Sequence, residues 1–324
     1  MTRSRFRSWL LAMFVLVLPL ASFAENLRPA DGKPLRIAFQ KGAVNLSIAK
    51  QRGVLEKRFG PTTWIEFPAG PQLLEALAVG SADFGVVGDS PPIFAQAAGK
   101  ELLYVGAEPP KPDSSAILVA KDSPIRALAD LKGKRIAFQK GSSAHFLTVQ
   151  ALQKAGIAYK DIEAVHLPPA EARAAFERGS VDAWAVWDPY YAAAELQGVA
   201  RVLATGRDLV SNNSFYLATP SFVKANPRLV AALLDELSRN DAYFTAHRAE
   251  AVRLYSSFSG LEPKVVEAVL ARRPTAPIGP LTPALIADQQ RVADTYFQLG
   301  LIPKAITVSE AVWQPAATVL SKQP

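Results

Sequence analysis

The stretch Arg36-Ile-Ala-Phe-Gln-Lys-Gly42 decides the fold, because the same seven residues recur as Arg135-Ile-Ala-Phe-Gln-Lys-Gly141, 99 positions later. A second pair keeps this spacing: Gly80-Ser-Ala-Asp-Phe-Gly-Val-Val-Gly-Asp-Ser-Pro91 matches Gly179-Ser-Val-Asp-Ala-Trp-Ala-Val-Trp-Asp-Pro189. Two pairs in one register indicate a structural unit that is built twice. Two similar lobes that face each other enclose a cleft, and small ligands bind in such clefts.

Each copy follows the same order of elements. The segment 35–87 predicts strand, helix, strand, helix, strand, beginning with a strand at Leu35–Phe39. The segment 134–186 repeats this order and begins with a strand that ends at Phe138 and a helix that ends at Lys154. Such an order predicts an α/β fold in which each lobe is a mostly parallel sheet flanked by helices. The chain is expected to cross to the second lobe between 108 and 124 and to return near Phe215–Ala218. From Asn226 onward the pattern is helical, and this tail is expected to pack on the first lobe.

Composition restricts the class of protein. The 324 residues are 49% hydrophobic and 20% charged, which is typical of a globular protein with room for two domains. Residues 1–24 have the pattern of a secretory signal peptide, with three arginines before an apolar core that is too short to span a bilayer. Without those arginines 33 basic residues face 29 acidic ones, so nucleic acid is not expected as a partner. The absence of Cys excludes disulfides and thiol chemistry.

The duplicated Gln-Lys-Gly turns suggest an anion site. Each turn joins a strand to a helix, and the start of a helix presents free N–H groups and a partial positive charge. The alternative is ordinary strand–helix connection chemistry with serine caps. The candidate ligand-binding residues of these two turns are Gln40, Lys41, Gly42, Gln139, Gly141, Ser142 and Ser143.

Further candidates follow the third strand of each copy. Gly88, Asp89 and Ser90 stand at a strand end, where Ser90 offers a hydroxyl or N–H donor and Asp89 is expected to cap the next helix. Trp187 and Tyr190 are expected to wall the cleft against an apolar ligand tail. Asp188 either caps a helix, receives a donor group of the ligand or holds Lys140 in place. Ser214, near the return crossing, and His145, one turn into the second anion-site helix, complete the candidates.

No catalytic arrangement is evident in the sequence. His145, His166 and His247 lack metal-ligand spacing, and no phosphate-binding loop, dinucleotide-binding fingerprint or nucleophile elbow occurs. The sequence therefore favours a binding protein without a cofactor over an enzyme.

The chain resembles the aliphatic sulfonate-binding proteins of bacterial ABC importers over essentially its whole mature length. The matching stretches include Glu66–Pro71, Gly88–Gly99, Glu108–Pro112, Ala137–Ser143 and Trp187–Tyr191. The resemblance implies a two-lobed type II periplasmic-binding fold with two crossovers and no cofactor. It also implies that the sulfonate lies against helix N-termini and the alkyl group against aromatic side chains.

The resemblance further implies a place and partners for the protein. We expect a periplasmic, monomeric receptor, without stable membrane insertion, that delivers alkanesulfonates to an ABC permease and its ATPase for sulfur assimilation. Lobe 1 is expected at 25–118 and 219–324, and lobe 2 at 119–218. Receptors for taurine, nitrate or another small anion remain alternatives, as does an enzyme on the same fold, although a desulfinase would need a Cys nucleophile.

Overall fold

The computed structural model describes residues 27–274 and 277–315 and contains two five-stranded sheets. The signal peptide predicted at 1–24 lies outside these residues. In the first sheet the spatial order is β2-β1-β3-β10-β4. Its strands are β1 (Leu35–Phe39), β2 (Thr62–Glu66), β3 (Phe84–Gly88), β4 (Leu103–Glu108) and β10 (Ser214–Ala218).

The second sheet repeats this arrangement in the order β7-β6-β8-β5-β9. Its strands are β5 (Ser115–Ala120), β6 (Arg135–Phe138), β7 (Glu163–His166), β8 (Ala183–Trp187) and β9 (Ala200–Thr205). In each sheet one inserted strand, β10 or β5, runs antiparallel to both of its neighbours, and the other four strands share one direction. The predicted two-lobed α/β architecture with mostly parallel strands is therefore confirmed.

The inserted strands are exchanged between the two copies. Shifted by 99 positions, β5 coincides with β10, yet β5 lies in the second sheet and β10 in the first. The exchange keeps the register, because Ser115 lies opposite Trp187 and Ser214 lies opposite Gly88. Each copy thus completes the sheet of the other, which ties the lobes together by two short crossing segments.

The duplication extends to one ion pair per lobe. Arg36 donates to Asp83 through its backbone N–H at 2.9 Å and through its side-chain Nε at 3.1 Å. Arg135 makes the same two bonds to Asp182 at 2.8 and 3.2 Å. Each pair joins the start of the first strand to the residue before the third, so both copies set this strand pairing in the same way.

Helices cover both sheets. Those of the two copies are α1 (Val44–Arg52), α2 (Val54–Phe59), α3 (Gly70–Ala78), α4 (Ser90–Ala97), α5 (Ser143–Lys154), α6 (Pro169–Glu177) and α7 (Tyr190–Leu196). Those after β10 are α8 (Pro220–Ala225), α9 (Pro227–Ala246), α10 (Arg248–Ser259), α11 (Pro263–Ala271) and α12 (Pro283–Gln298).

The helical tail packs mainly on the first lobe, as predicted. Leu229 and Leu233 of α9 share a buried cluster with Leu35 and Ile37 of β1. α11 also reaches the second lobe, where Val266 packs near Ala192 of α7. Within the described ranges no helix is long and apolar enough to cross a membrane.

The strand pairing narrows the crossings, which the sequence predicts only between 108 and 124 and near Phe215–Ala218. The segment 115–120 already pairs with β8 in the second sheet, and 214–218 already pairs with β3 in the first. The two strands are therefore not connections, and the connecting residues are 109–114 and 206–213. We propose lobe boundaries at these segments instead of at 118/119 and 218/219.

Candidate functional site

A cavity lies between the lobes, at the ends of β3 and β8 and at the starts of several helices. It encloses roughly 720 Å³, part of it open to solvent. Eight of the candidates from the sequence line it: Gln40, Gly42, Gly88, Ser142, Ser143, Trp187, Asp188 and Ser214. Both duplicated turns thus contribute to one cleft.

The start of α5 forms a polar wall of this cavity. The backbone N–H groups of Ser143 and Ala144 have no hydrogen-bond partner among the described residues, as expected for the first turn of a helix. The Ser142 hydroxyl donates to the Gln139 carbonyl oxygen at 2.7 Å, which closes the turn and leaves those amides free. A helix start with unpaired amides favours an anion.

Ser143 of the second lobe lies directly against Gly88 of the first. A Cβ on Gly88 would be 1.9 Å from the Ser143 hydroxyl oxygen, so only glycine permits this approach. Because Ser143 and Gly88 belong to different lobes, the contact depends on the closed arrangement of the cleft.

A second cross-lobe contact brings Trp187 against Gly42. A Cβ on Gly42 would be 2.8 Å from the Asp188 carbonyl oxygen and 3.1 Å from Cδ1 of the Trp187 ring. Val44 and Val269 line the cavity with Trp187, so this wall is apolar where the start of α5 is polar. Tyr190, also expected at the cleft wall, is not among the lining residues.

Asp188 is occupied by protein groups. Its carboxylate accepts hydrogen bonds from Arg272 at 3.0 Å and from the backbone N–H of Ala192 at 3.0 Å. Arg272 also donates to Glu195 at 2.5 Å. Burial raises the pKa of Asp188 to about 6, although Arg272 opposes the rise. The partner is Arg272 and not Lys140, so that part of the expectation is wrong.

Asp89 and Ser90 lie beneath the cavity and do not line it. The Ser90 hydroxyl donates to Asp89 at 2.8 Å and accepts from the Tyr296 hydroxyl at 2.9 Å. Burial raises the pKa of Asp89 to about 6, although bonds from Ser90 and Ser143 favour its ionised form. Ser90 is thus held by Tyr296 of α12, a contact that the local sequence around Ser90 could not reveal.

His145 supports the anion-site turn from behind. It is fully buried, and its Nδ1 accepts the backbone N–H of Gly141 at 3.3 Å while Nε2 lies 3.0 Å from the Tyr159 hydroxyl. Burial lowers the pKa of His145 to about 3, with His166 and Lys140 adding to the effect, so the ring is neutral. A neutral imidazole whose Nδ1 accepts a hydrogen bond carries its proton on Nε2, so the Nε2–H group of His145 donates a hydrogen bond to the Tyr159 hydroxyl.

The other candidates outside the cavity are Lys41, Gln139 and Gly141. The Lys41 side chain is exposed, and its carbonyl oxygen accepts from Tyr255 at 2.5 Å. Gln139 donates weakly to the Lys140 carbonyl oxygen at 3.3 Å. Gly141 has a φ of 71°, which favours glycine, and lies against the Phe94 ring of the first lobe.

The cavity wall also carries charged side chains that are not among the candidates from the sequence. Glu108, Lys111 and Arg273 line the cavity together with Asn212. Glu108 and Lys111 stand in the Glu108–Pro112 stretch, whose sequence indicates a crossing and a family resemblance but no role in the site. Arg273 lies far away in the sequence, and only the packing of the helical tail brings it to the site.

Comparisons with known proteins agree with this geometry. A family model described as NMT1/THI5 like matches residues 64–251. A putative aliphatic sulfonates-binding protein of Escherichia coli K12 is 48% identical over 303 residues, which is 92% of this chain and 94% of the relative. The taurine-binding periplasmic protein of Escherichia coli K12 is 33% identical over 55% of this chain and 56% of that protein.

A solved structure gives the same result. The alkanesulfonate-binding protein SsuA from Xanthomonas axonopodis pv. citri, bound to MOPS, is 49% identical with a TM-score of 0.84. The match covers 86% of this chain and 98% of that one. The two relatives that are 48% and 49% identical to this chain are both described as binding proteins. The chain therefore belongs to the NMT1/THI5-like family and, within it, to the aliphatic sulfonate-binding proteins.

Proposed function

We propose that this protein is the substrate-binding component of an ABC importer, which captures alkanesulfonates between its lobes and delivers them to a membrane permease. One observation carries the proposal: a single cavity joins the free amides at the start of α5 to an apolar wall around Trp187. The relative from Escherichia coli at 48% identity, described as sulfonate-binding, supports the same ligand class.

The head group suits the polar wall. A sulfonate stays ionised at all physiological pH values and offers three acceptor oxygens. The backbone amides of Ser143 and Ala144 are donors at the start of α5, whereas the Ser143 hydroxyl already bonds to Asp89. Hydrogen bonds between N–H groups and an ionised acceptor are among the stronger ones in proteins.

The tail suits the apolar part of the cavity wall. Val44, Trp187 and Val269 present apolar surface to the cavity, and each buried CH₂ group contributes about 0.8 kcal/mol. An inorganic anion would leave this surface unused. Taurine would place an ammonium group here, yet both carboxylates of the cavity wall are already paired, Asp188 with Arg272 and Glu108 with Lys111. Asp89 does not line the cavity.

Ligand capture is coupled to closure of the lobes. Ser143 against Gly88 and Trp187 against Gly42 are contacts between lobes, so both form only when the cleft closes. A ligand that touches both lobes shifts the population toward the closed form, because only that form offers all of its contacts. The closed form is then the one that a permease would recognise.

We propose a periplasmic location and a monomeric receptor that works with a permease and its ATPase. Residues 1–24 supply the export signal in this proposal, and the sulfur of the ligand is used after import. An enzymatic role finds no support in the chain, which contains no Cys for a desulfinase nucleophile.

Tryptophan fluorescence tests the proposal. Methanesulfonate, hexanesulfonate, taurine and sulfate are titrated into the protein, with Trp187→Phe as the variant that removes the reporting ring. We expect a saturable change for both alkanesulfonates that is strongly reduced in Trp187→Phe. Saturation by sulfate or taurine alone would refute the proposed ligand class.

A further inference from the structure

The strongest unexplained feature of the cavity is the charged group on its wall. Lys111 Nζ donates to Glu108 at 2.9 Å and to the Ser214 hydroxyl at 2.6 Å, and its side chain is only 11% exposed. Arg273 lies 3.4 Å from both Glu108 and Asp241. Two cations and two carboxylates are thus buried together beside a ligand cavity, at a considerable cost in desolvation.

Both cations of this group have an N–H donor without a partner among the described residues. An ammonium has three N–H donors, and Lys111 uses two of them among the described residues. Nε of Arg273 is buried and has no partner in the described part of the chain. Both side chains line the cavity.

The ammonium group faces the same space as the start of α5. Ser214, which accepts from Lys111, lies opposite Gly88 in the pairing of β10 with β3. Gly88 in turn lies directly under the Ser143 hydroxyl. Lys111, Ser214, Gly88 and Ser143 therefore form a continuous row across the floor of the cavity.

Lys111 also belongs to the segments that connect the lobes. Its backbone N–H donates to the Ser211 carbonyl oxygen at 3.0 Å, and its own carbonyl oxygen accepts from the Asn212 side chain at 2.9 Å. The two crossing segments are thus bonded to each other at Lys111. A ligand held there contacts the place where both lobes are joined.

We propose that Lys111 donates its third N–H to the ligand sulfonate and supplies the cation of the site. This inference rests on the proposed function and names a residue for it. Glu108 and Ser214 orient the ammonium, and Arg273 balances the charge of Glu108. The alternative is that Lys111 merely neutralises Glu108.

Two variants separate these roles. Lys111→Met removes the cation and leaves Glu108 with Arg273 at 3.4 Å and the Tyr216 hydroxyl at 3.2 Å, so the loss of its closest cation also lowers stability. Glu108→Gln/Lys111→Met removes the cation and its partner anion together and restores a neutral pair. A purely neutralising lysine predicts that the double variant binds like the wild type. A ligand-contacting lysine predicts that it does not.

The measurement is the Kd for ethanesulfonate by calorimetry, with thermal unfolding of each protein. We expect the double variant to bind about 10- to 100-fold more weakly than the wild type, the range of a charge-assisted hydrogen bond, while its unfolding temperature stays near that of the wild type. Lys140→Met is the matched control, because it removes the same charge near α5 from an exposed side chain. We expect less than about a threefold change there.

Two results would overturn the inference: a double variant within about threefold of the wild type, or an equal loss in Lys140→Met. Failure of the wild type to bind any alkanesulfonate would instead refute the proposed function. The two failures are therefore distinguishable.

Discussion

Substituting Gly88 by alanine should hold the cleft open. The new Cβ would lie 1.9 Å from the Ser143 hydroxyl oxygen and 3.2 Å from Ser143 Cβ, whereas ordinary contact begins at 3.4 Å. Rotation of the hydroxyl relieves the first overlap but not the second, so Ser143 must move away from Gly88 by a few tenths of an ångström, which opposes closure. Overpacking of this kind costs about 1–3 kcal/mol, and the cost falls on the closed form alone. The affinity for an alkanesulfonate should therefore fall by about 5- to 150-fold.

The assay is stopped-flow binding of hexanesulfonate, together with thermal unfolding without ligand. We expect a faster dissociation rate and little change in unfolding, because outside Ser143 the nearest atom to the new Cβ is the Asn213 carbonyl oxygen at 3.8 Å. Gly279→Ala serves as the control, since a Cβ at Gly279 meets nothing within 4 Å. Unchanged affinity in Gly88→Ala, or an equal loss in Gly279→Ala, would refute the closure argument.

Three further predictions concern charge and the apolar wall. Affinity for ethanesulfonate should rise about fivefold from pH 7.5 to pH 5, because the buried Asp89, with its pKa raised to about 6, loses its repulsive charge as it takes up a proton. Calorimetry across this range on the wild type and Asp89→Asn checks this. The same pH dependence of affinity in the variant would contradict it. Trp187→Ala should weaken octanesulfonate more than methanesulfonate by about tenfold, and equal losses in the two titrations would make the ring a packing residue. Arg272→Met should destabilise the fold by about 3 kcal/mol at pH 8, since it leaves the Asp188 carboxylate buried without its cation. The loss should shrink below pH 6, where that carboxyl, whose pKa is raised in the folded protein, is protonated; denaturant unfolding at both pH values measures it, and a pH-independent loss would count against the ion pair.

The sequence predicted the repeated unit well, because hydrophobic periodicity and the 99-residue spacing are local signals. The strands at Leu35–Phe39 and Arg135–Phe138 and the helix that ends at Lys154 lie where expected. The exchange of β5 and β10 was not predictable, since periodicity shows that a segment is a strand but not which sheet it joins. For this reason the sequence predicts the crossings only as broad ranges.

The candidate site was only partly predictable. The cleft-facing glycines and serines follow from turn chemistry, and Gly88, Ser142 and Ser143 line the cavity. Ser90 looked equally exposed in the sequence, but Tyr296 from a helix about 200 positions later covers it. Lys111 and Arg273 meet only in the folded chain, so no local pattern could join them.

The most direct test of the central claim is calorimetric binding of the mature protein to alkanesulfonates of two to eight carbons, with taurine, sulfate and nitrate for comparison. The claim that the cavity holds a sulfonate head against α5 and an alkyl tail against Trp187 predicts saturable heat for the alkanesulfonates. Affinity should rise with chain length, and sulfate should bind weakly or not at all. Binding of taurine or an inorganic anion with no response to any alkanesulfonate would contradict it.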